Sequence, residues 1–332
     1  MTTAGKILVT GGAGFIGSHL VEHLAGLGAQ VVVLDNFRNG KRENLRFPSR
    51  RAVRIIDGDI VDMATCRRAL RGVDTVFHLA CLGVRHSLHS PVENHQVNAS
   101  GTLNLLEAAR GAKVRRFVYV STSEIYGRAR EFPITENCTP WPLTVYGSSK
   151  LAGEHYARSY FECYQLPVVC VRPFNNYGPR SHFEGDTGEV IPRFILRTLG
   201  GLPPVIFGDG SHTRDFLYVK DCADMLARIA GADRLVGEVV NLGYGVETRI
   251  DTLAYTVLEA MGRTDLKPVF QAARPADVPK LWVDTSKLEK VIAFRPKVTL
   301  REGIGRTLEY FRDLNIKDPT AFLRIKTKNW ET

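Results

Sequence analysis

A tyrosine and a lysine four residues apart, Tyr146 and Lys150, form a pair in this sequence that is suited to acid–base chemistry. On a helix this spacing places both side chains on one face, so both can point into the same cleft. A phenol has an ordinary pKa of about 10 and removes a proton near neutral pH only when its anion is stabilised. A nearby ammonium group stabilises that anion, and the pair then acts as a general base toward a hydroxyl group. The same spacing is common on protein surfaces, so the pair indicates a catalytic site only if a second motif supports it.

A glycine turn with Gly11, Gly14 and Gly17 provides that second motif. The turn follows a predicted strand and opens a predicted helix, which is the context of a dinucleotide-binding turn. Gly11 permits the tight turn, Gly14 lets the backbone approach a pyrophosphate, and Gly17 allows the helix to pack closely on the strand. The helix N-terminus offers free N–H groups and a positive potential to the phosphates.

An acidic residue, Asp35, follows the second predicted strand. Its carboxylate can accept hydrogen bonds from both ribose hydroxyls and would repel a 2′-phosphate, so the sequence predicts NAD and not NADP. Strand, helix and acid together favour this interpretation over glycines that only turn the chain. Asp59 and Ile60, after the third strand, are expected beside the adenine, although an aspartate at that place can also be only a helix cap.

Alternating strand and helix patterns must position these groups. The predicted strands cover residues 6–10, 30–34, 53–57, 75–78, 116–120 and 167–172. The predicted helices cover residues 16–27, 63–71, 94–109 and 148–163. This order predicts an α/β fold of the Rossmann type, with a doubly wound parallel sheet covered by helices.

The composition of the chain changes after Arg172, where Pro, Gly and Asn residues, which favour turns, become frequent. We expect an NAD-binding domain over residues 1–172, completed by a later segment near residues 217–245. A smaller α/β subdomain that binds the substrate is expected mainly over residues 173–332.

Composition narrows the functional class. With 44% apolar and 24% charged residues, the 332-residue chain has the balance of an ordinary globular protein. We expect a cytoplasmic protein with reduced thiols, because the sequence has no secretion signal, no run of about 18 apolar residues and no cysteine pattern of a disulfide framework. No metal site is expected, since the six cysteines and nine histidines lack ligand spacing.

The formal net charge of +9 is spread along the chain and no nucleic-acid recognition module accompanies it. A basic surface also attracts anionic small molecules such as phosphates. We therefore expect a small anionic substrate, with neither a nucleic acid nor a membrane as partner.

Further motifs join the glycine turn, Asp35 and the Tyr146/Lys150 pair in a fixed order. They are Phe77-His-Leu-Ala80, Asn98 with Gly101-Thr102, Ser121-Thr-Ser-Glu-Ile-Tyr-Gly127, Arg172-Pro-Phe-Asn-Asn-Tyr-Gly178 and Gly208-Asp-Gly210 with Arg214-Asp-Phe216. Together they resemble the extended short-chain dehydrogenase/reductase family, and within it a nucleotide-sugar epimerase or dehydratase. The resemblance runs from about Lys6 to Thr307. It implies that bound NAD oxidises a nucleoside diphosphate sugar at C4, and that the 4-keto sugar is altered and commonly reduced again.

The resemblance also implies roles for individual residues. Tyr146 takes the C4 hydroxyl proton, Thr122 hydrogen-bonds that hydroxyl unless it only caps the strand end, and Lys150 lowers the pKa of the tyrosine and binds ribose. The other positions implied for the cofactor are Gly11, Gly14, Phe15, Ile16, Gly17, Asp35, Asn36, Asp59, Ile60, Leu79, Ala80, Ser121 and Pro173. Those implied for the substrate are Ser87, Asn175, Val190, Arg214, Arg274 and Asp277.

Arg214 is expected on a phosphate, because a guanidinium group matches phosphate oxygens. The alternative is a surface ion pair between Arg214 and Asp215. Asp277 could likewise be a solvated loop acid.

Glu124 distinguishes the branches of the family. A small residue at this position resembles the 4-epimerases, whereas Thr122-Ser123-Glu124 resembles dehydratases and nucleotide-glucuronate decarboxylases. A ketone at C4 acidifies the C5 proton, so a nearby carboxylate can abstract it while the C6 hydroxyl leaves. We therefore favour 4,6-dehydration, with Thr122, Ser123, Glu124, Tyr146 and Lys150 as the catalytic set.

Three alternatives stay open. Ser123 stands where some dehydratases carry an aspartate acid, which keeps a UDP-sugar 4-epimerase and a UDP-glucuronate decarboxylase as candidates. Glu124 could also only cap the following turn. A protein that binds NAD as a sensor without catalysis ranks last, because Tyr146 and Lys150 are both present.

The predicted helices over residues 94–109 and 148–163 correspond to those of a four-helix dimer interface in similar enzymes. Both helices carry apolar residues on more than one face. The resemblance therefore implies a homodimer, the alternative being that these residues only pack on their own sheet.

Overall fold

The computed structural model describes residues 5–184, 188–273, 278–293, 295–316 and 318–319. Its strands are β1 Lys6–Thr10, β2 Gln30–Asp35, β3 Val53–Asp57, β4 Thr75–His78, β5 Arg116–Val120, β6 Val168–Pro173, β7 Asn175–Tyr177, β8 Val205–Phe207, β9 Thr213–Arg214, β10 Phe216–Tyr218, β11 Val239–Leu242, β12 Thr248–Arg249, β13 Val269–Gln271 and β14 Lys280–Leu281. Its helices are α1 Phe15–Gly26, α2 Met63–Ala69, α3 Val84–His89, α4 Pro91–His95, α5 Gly101–Ala112, α6 Val145–Tyr164, α7 Val190–Leu199, α8 Val219–Ala230, α9 Ile250–Ala260, α10 Ser286–Ile292 and α11 Leu300–Asp313.

Seven strands form one parallel sheet in the order β11-β6-β5-β4-β1-β2-β3. Successive side chains of a strand point to opposite faces, so Leu8 packs into one core and Val9 into the other. One core holds apolar residues of α1 and α8, and the other holds those of α2, α5 and α6. Helices on both faces of a parallel sheet confirm the predicted Rossmann-type α/β fold.

The later part of the chain builds a further apolar core, separate from the two that flank the large sheet. Helices α7, α9 and α11 meet there around residues such as Phe194, Leu253 and Phe311. Small sheets accompany this core: β10 with β7, β13 with β8, and β12-β9-β14. Between these elements the chain returns to the large sheet, because β11 pairs with β6 and α8 packs on α1. The proposed domain limits themselves stay a prediction.

The strand predictions agree with the structure to within a residue at each end. Helix α2 ends at Ala69, two residues before the predicted end, and two other helices differ more. Helix α6 begins at Val145 and not at residue 148, because the Thr144 hydroxyl caps it by accepting the N–H of Gly147 at 3.1 Å. Tyr146 therefore lies in the first turn of α6. The predicted helix over residues 94–109 is longer, since α4 continues through the wider turn Gln96–Ser100 into α5. None of the helices in the described part of the chain is long and apolar enough to cross a membrane.

The packing of α1 on β1 makes a testable prediction at Gly17. A Cβ at this position would lie 2.1 Å from the carbonyl oxygen of Gly11, whereas a Cβ on Gly26, in the same helix, would meet no atom within 4 Å. We expect Gly17→Ala to lower the free energy of unfolding by roughly 1–3 kcal/mol through overpacking. Gly26→Ala should raise it by up to about 1 kcal/mol, because alanine favours the helix. Urea unfolding of both variants measures the difference, and equal effects would contradict this packing.

Candidate active site

A cavity of about 1240 Å³ opens at the carboxyl ends of the sheet strands. It brings together all the residues expected to bind the cofactor and all five of the expected catalytic set. Asn175, Val190 and Arg214 also line it, whereas Ser87 does not. The Ser87 side chain is buried, and its hydroxyl donates a hydrogen bond to the Val84 carbonyl at 2.6 Å. Arg274 and Asp277 lie outside the described residues.

The glycine turn forms one wall of this cavity. Gly11 has a φ of +67°, and a Cβ there would meet the backbone of Ala80 at 2.8 Å. The turn therefore requires glycine both for its conformation and for its close approach to the chain after β4. Gly14 precedes the first turn of α1, whose N–H groups have no partner further back in the helix. A pyrophosphate fits such a terminus.

Asp35 is held at the end of β2 by two backbone donors. Its carboxylate accepts the N–H of Ala13 at 2.9 Å and that of Phe37 at 2.8 Å. Burial raises the pKa of Asp35, while these two hydrogen bonds lower it. The three cations that follow Asp35 are each paired with a carboxylate: Arg38 with Glu93, Lys41 with Glu184 and Arg42 with Asp57. Because these charges are already engaged, the surroundings of Asp35 favour NAD over a cofactor with an added phosphate.

Tyr146 and Lys150 lie on the same side of α6, where Lys150 is buried and Tyr146 is half-buried. The Lys150 ammonium donates to the Val120 carbonyl at 2.7 Å and not to the phenol, and burial lowers its pKa. Burial also raises the pKa of Tyr146. The nearby Cys81 thiol and Glu124 carboxylate raise this pKa further, while a hydrogen bond with Thr122 lowers it. The phenol is therefore held protonated, beside the Cys81 thiol and the Thr122 hydroxyl.

Glu124 lies in the short helical turn Ser123–Tyr126 that follows β5. The residue that caps this turn is Thr122, whose hydroxyl accepts the Glu124 N–H at 3.2 Å. The half-buried Glu124 side chain lines the cavity, and its charge is close enough to act on the pKa of Tyr146. A phenol, a hydroxyl and a carboxylate thus converge on one place in the cavity.

The cavity also contains polar groups that a ligand could engage. The side-chain oxygens Ser121 Oγ, Asn175 Oδ1 and Asn176 Oδ1 are buried and have no hydrogen-bond partner among the described residues. Since buried polar atoms are ordinarily paired, these three oxygens indicate a site for a polar ligand.

Arg214 is held at the cavity by two backbone carbonyls, those of Thr213 and Val278, each at 2.8 Å from its Nη1. The neighbouring Asp215 is fully buried and accepts the N–H groups of Tyr244 and Gly245 at 2.7 Å. The alternative of a surface ion pair between Arg214 and Asp215 is therefore wrong, because Asp215 faces the interior.

Sequence reasoning missed Cys81, Arg85 and Glu189, which also line the cavity. Cys81 directly follows the Phe77-His-Leu-Ala80 motif, and Glu189 directly precedes Val190. Their position next to predicted site residues was the one feature of the sequence that could have identified them. Arg85 donates to the Gly188 carbonyl at 3.3 Å. Burial raises the pKa of the Glu189 carboxyl to about 8, although the charge of Arg85 opposes the rise.

The raised pKa of Glu189 predicts how stability depends on pH. Between the ordinary pKa of 4.5 and about 8, the folded chain keeps a proton that the unfolded chain has released. The free energy of unfolding therefore falls as pH rises through this window. Glu189→Gln keeps the shape without titrating, so its stability relative to the wild type should grow from near zero at pH 4.5 to roughly 1 kcal/mol or more at pH 8. Urea unfolding at several pH values measures this, with the exposed Glu309→Gln as control; parallel pH profiles of wild type and Glu189→Gln would contradict it.

Comparisons with known proteins agree with this geometry. Residues 7–243 match the family model "NAD dependent epimerase/dehydratase family". A UDP-glucose 4-epimerase of Mycolicibacterium smegmatis is 38% identical over 93% of this chain and 99% of its own length. UDP-glucuronic acid decarboxylase 1 of Arabidopsis thaliana is 37% identical over 93% of this chain and 70% of its own length. The solved structure of DesIV, a dTDP-glucose 4,6-dehydratase from Streptomyces venezuelae with NAD bound, is 32% identical over 93% of this chain and 97% of that one, with a TM-score of 0.86.

The matched segment covers more than half of the chain, and the relatives span nearly all of it. The predicted family, the enzyme class and the cofactor NAD are thereby confirmed. The chain belongs to the NAD-dependent epimerase/dehydratase family of the extended short-chain dehydrogenases/reductases.

Proposed function

We propose that this protein is a nucleotide-sugar 4,6-dehydratase that oxidises its sugar at C4 and then eliminates the C6 hydroxyl. The observation that carries the proposal is the Glu124 carboxylate, which lines the cavity so close to Tyr146 that its charge acts on the phenol. C4 oxidation needs one base. Elimination needs a second proton-transfer group beside the first, and Glu124 is that group.

The residues present fit NAD. We propose that the glycine turn holds the pyrophosphate, that Asp35 accepts the adenosine ribose hydroxyls and that Lys150 binds the nicotinamide ribose. The orphaned Ser121 Oγ supports this placement, because it lies where β5 ends in the cavity. When bound, NAD supplies a hydride acceptor at C4 and a hydride donor for the final reduction.

Tyr146 removes the proton of the C4 hydroxyl, which Thr122 orients by a hydrogen bond. Burial holds the pKa of this phenol high, so the phenol needs a positive charge beside it to act as a base. The ammonium of Lys150 on the same helix supplies part of that charge. The base is therefore active only in the loaded site.

Glu124 acts on the 4-keto sugar. Its carboxylate takes the proton from C5, the C5–C6 double bond forms, and the C6–O bond breaks. The proton passes from Glu124 to the departing oxygen, so one water molecule leaves. As the hydride returns to C6, C5 gains a proton, which balances the proton that Tyr146 took from the C4 hydroxyl. Ser123, buried beside Glu124 in the same turn, is proposed to hold the leaving oxygen in place of an acidic side chain.

Arg214 and Asn175 are proposed to hold the nucleoside diphosphate. Two backbone carbonyls fix the guanidinium of Arg214 at the cavity wall, and a guanidinium group matches phosphate oxygens. The buried Asn175 Oδ1 without a partner suits a donor of the nucleotide. The substrate roles of four other residues stay predictions: Ser87, Val190, Arg274 and Asp277.

Uridine is the proposed base, because the Mycolicibacterium and Arabidopsis relatives are named for UDP-sugars.

The second candidate is a UDP-sugar 4-epimerase. The Mycolicibacterium relative with that name favours it. Tyr146 and Lys150 would act in the same oxidation at C4, and the 4-keto sugar would rotate in the site before the hydride returns to its other face. Decarboxylation of a UDP-glucuronate is a third candidate, favoured by the Arabidopsis relative. Loss of carbon dioxide from a β-keto acid requires no base at C5, so it leaves Glu124 without a proton to move. A sensor without turnover leaves both Tyr146 and Glu124 unexplained.

Product masses decide among these reactions. The NAD-loaded protein is incubated with UDP-, GDP-, CDP- and dTDP-hexoses and with UDP-glucuronate. We expect a product lighter by one water molecule from a hexose substrate. An unchanged mass with an altered sugar NMR spectrum would establish the epimerase, and loss of carbon dioxide the decarboxylase; either result contradicts dehydration.

Glu124→Gln tests the role of the carboxylate in the same assay. We expect the elimination to slow by roughly 10²- to 10⁴-fold, while absorbance of the reduced nicotinamide still appears when substrate is added. Glu131→Gln, an exposed carboxylate further along the same loop, is the control and should retain full activity. Full activity of Glu124→Gln would end its role as base.

We also propose a homodimer built by α4–α5 and α6 of two copies. These helices expose apolar side chains, among them Val92, Leu103 and Tyr164. Leu103→Glu should convert the dimer to a monomer in sedimentation equilibrium, because a buried interface does not tolerate an unpaired charge. Val269→Glu, on an exposed strand outside these helices, is the control and should stay dimeric. A monomeric wild type would refute the proposal.

The cytoplasmic location expected from the sequence stays a prediction.

A further inference from the structure

A buried ion pair lies behind the cavity and has no part in the roles proposed so far. Arg172 at the end of β6 donates to both carboxylate oxygens of Glu154 on α6, at 2.6 Å from Nη2 and 3.1 Å from Nε. The two side chains are 5% and 1% exposed. Neither lines the cavity, so neither can touch a substrate there.

The pair continues into a chain of buried hydrogen bonds. Arg172 Nη1 donates to the Tyr126 hydroxyl at 2.7 Å, and that hydroxyl donates to Asn241 Oδ1 at 2.7 Å. The Asn241 N–H in turn donates to the Glu136 carboxylate at 2.8 Å. We call Glu154, Arg172, Tyr126 and Asn241 the buried network.

Two members of the buried network, Glu154 and Tyr126, belong to the two elements that carry the proposed chemistry. Glu154 follows Lys150 by one turn on α6, the helix that also bears Tyr146. Tyr126 closes the short turn that bears Glu124. Hydrogen bonds to the charged Arg172 side chain therefore connect the helix that bears Tyr146 with the turn that bears Glu124. Such charge-assisted hydrogen bonds are shorter and stronger than neutral ones.

Stability alone is a weak explanation for this arrangement. Removing two charges from water is costly, and well-packed apolar side chains often stabilise a core as well as a buried ion pair does. What an ion pair with two hydrogen bonds adds is a fixed geometry. A displacement of about 1 Å in a catalytic group can cost on the order of 100-fold in rate, so such a geometry has a use here.

We propose that Glu154, Arg172 and Tyr126 are positioning residues that set the separation between the Tyr146/Lys150 pair and the Glu124 carboxylate. The inference rests on the proposed function, since it presupposes that both groups act on one sugar. None of the three residues touches the reacting atoms. They act through the backbone of α6 and of the turn Ser123–Tyr126.

Electrostatics gives the buried network a second, measurable effect. Burial lowers the pKa of Lys150, and the negative charge of Glu154 raises it again. The other titratable groups that face Lys150 are Tyr146 on α6, Tyr119 on β5, Cys170 on β6, His78 on β4 and Cys81 after β4. Without the charge of Glu154, the lysine is less protonated and stabilises the phenolate less. The acid limb of the pH–rate profile should then move to higher pH.

Two variants test the proposal in the NAD-loaded enzyme. Tyr126→Phe removes one hydroxyl and leaves the ion pair intact, and Glu154→Gln keeps the shape but removes the charge. We expect Tyr126→Phe to lower kcat by roughly 10- to 100-fold with KM nearly unchanged, and Glu154→Gln in addition to shift the acid limb of kcat/KM upward. Tyr218→Phe, which removes another buried hydroxyl outside the cavity, is the control and should leave both parameters unchanged.

Amide hydrogen exchange of residues 123–127 provides a readout without turnover. We expect faster exchange there in Tyr126→Phe than in the wild type and in Tyr218→Phe. Variants that melt earlier but keep kcat, the pH profile and this exchange rate would overturn the proposal, because the buried network would then only stabilise the fold. If the wild type turns over no nucleotide sugar, the proposed function is contradicted. The hydrogen exchange of residues 123–127 then tests by itself whether the buried network holds this turn in place.

Discussion

The alignment of parallel strands at one edge of the sheet is the constraint on which the site depends. Thr10, the last residue of β1, pairs with Leu34 on one side and with His78 on the other. The Thr10 hydroxyl and His78 Nδ1 lie 2.7 Å apart, and Nε2 of this fully buried histidine lies 2.9 Å from the Thr102 hydroxyl. This register places the glycine turn, Asp35 and the chain after β4 side by side. A slip of one residue would turn every side chain of a strand to the opposite face.

Burial shapes the electrostatics of the cavity throughout. It raises the pKa of Tyr146 and of Glu189 and lowers that of Lys150, so each group is pushed toward its neutral form. Each of these groups therefore needs an opposite charge nearby in order to ionise near neutral pH. The charges of a bound cofactor and substrate would lie close to these titratable groups and would shift their pKa values. A nicotinamide held by these residues would add a positive charge beside Tyr146 and would accept the hydride.

The relatives of this chain carry the names of different reactions on one fold. Epimerisation, decarboxylation and dehydration share the oxidation at C4, and they diverge only in what happens to the 4-keto sugar. A small number of side chains near C5 and C6 can decide that outcome while the sheet and the cofactor site stay the same. Glu124 is the side chain that we propose for this choice, because its charge lies close enough to Tyr146 to act on the pKa of the phenol.

The sequence by itself determined the parallel sheet, the glycine turn, Asp35 and the Tyr146/Lys150 pair, because these depend on local periodicity and on short spacings. The start of α6 was placed too late, since the cap at Thr144 outweighed the apolar pattern. Tertiary structure decided which groups share the cavity: it added Cys81 and Glu189, left Ser87 bonded to its own helix, and turned Asp215 inward. It also joined Glu154 to Arg172 and Tyr126. These outcomes follow from packing between distant segments and from burial, which no local pattern encodes.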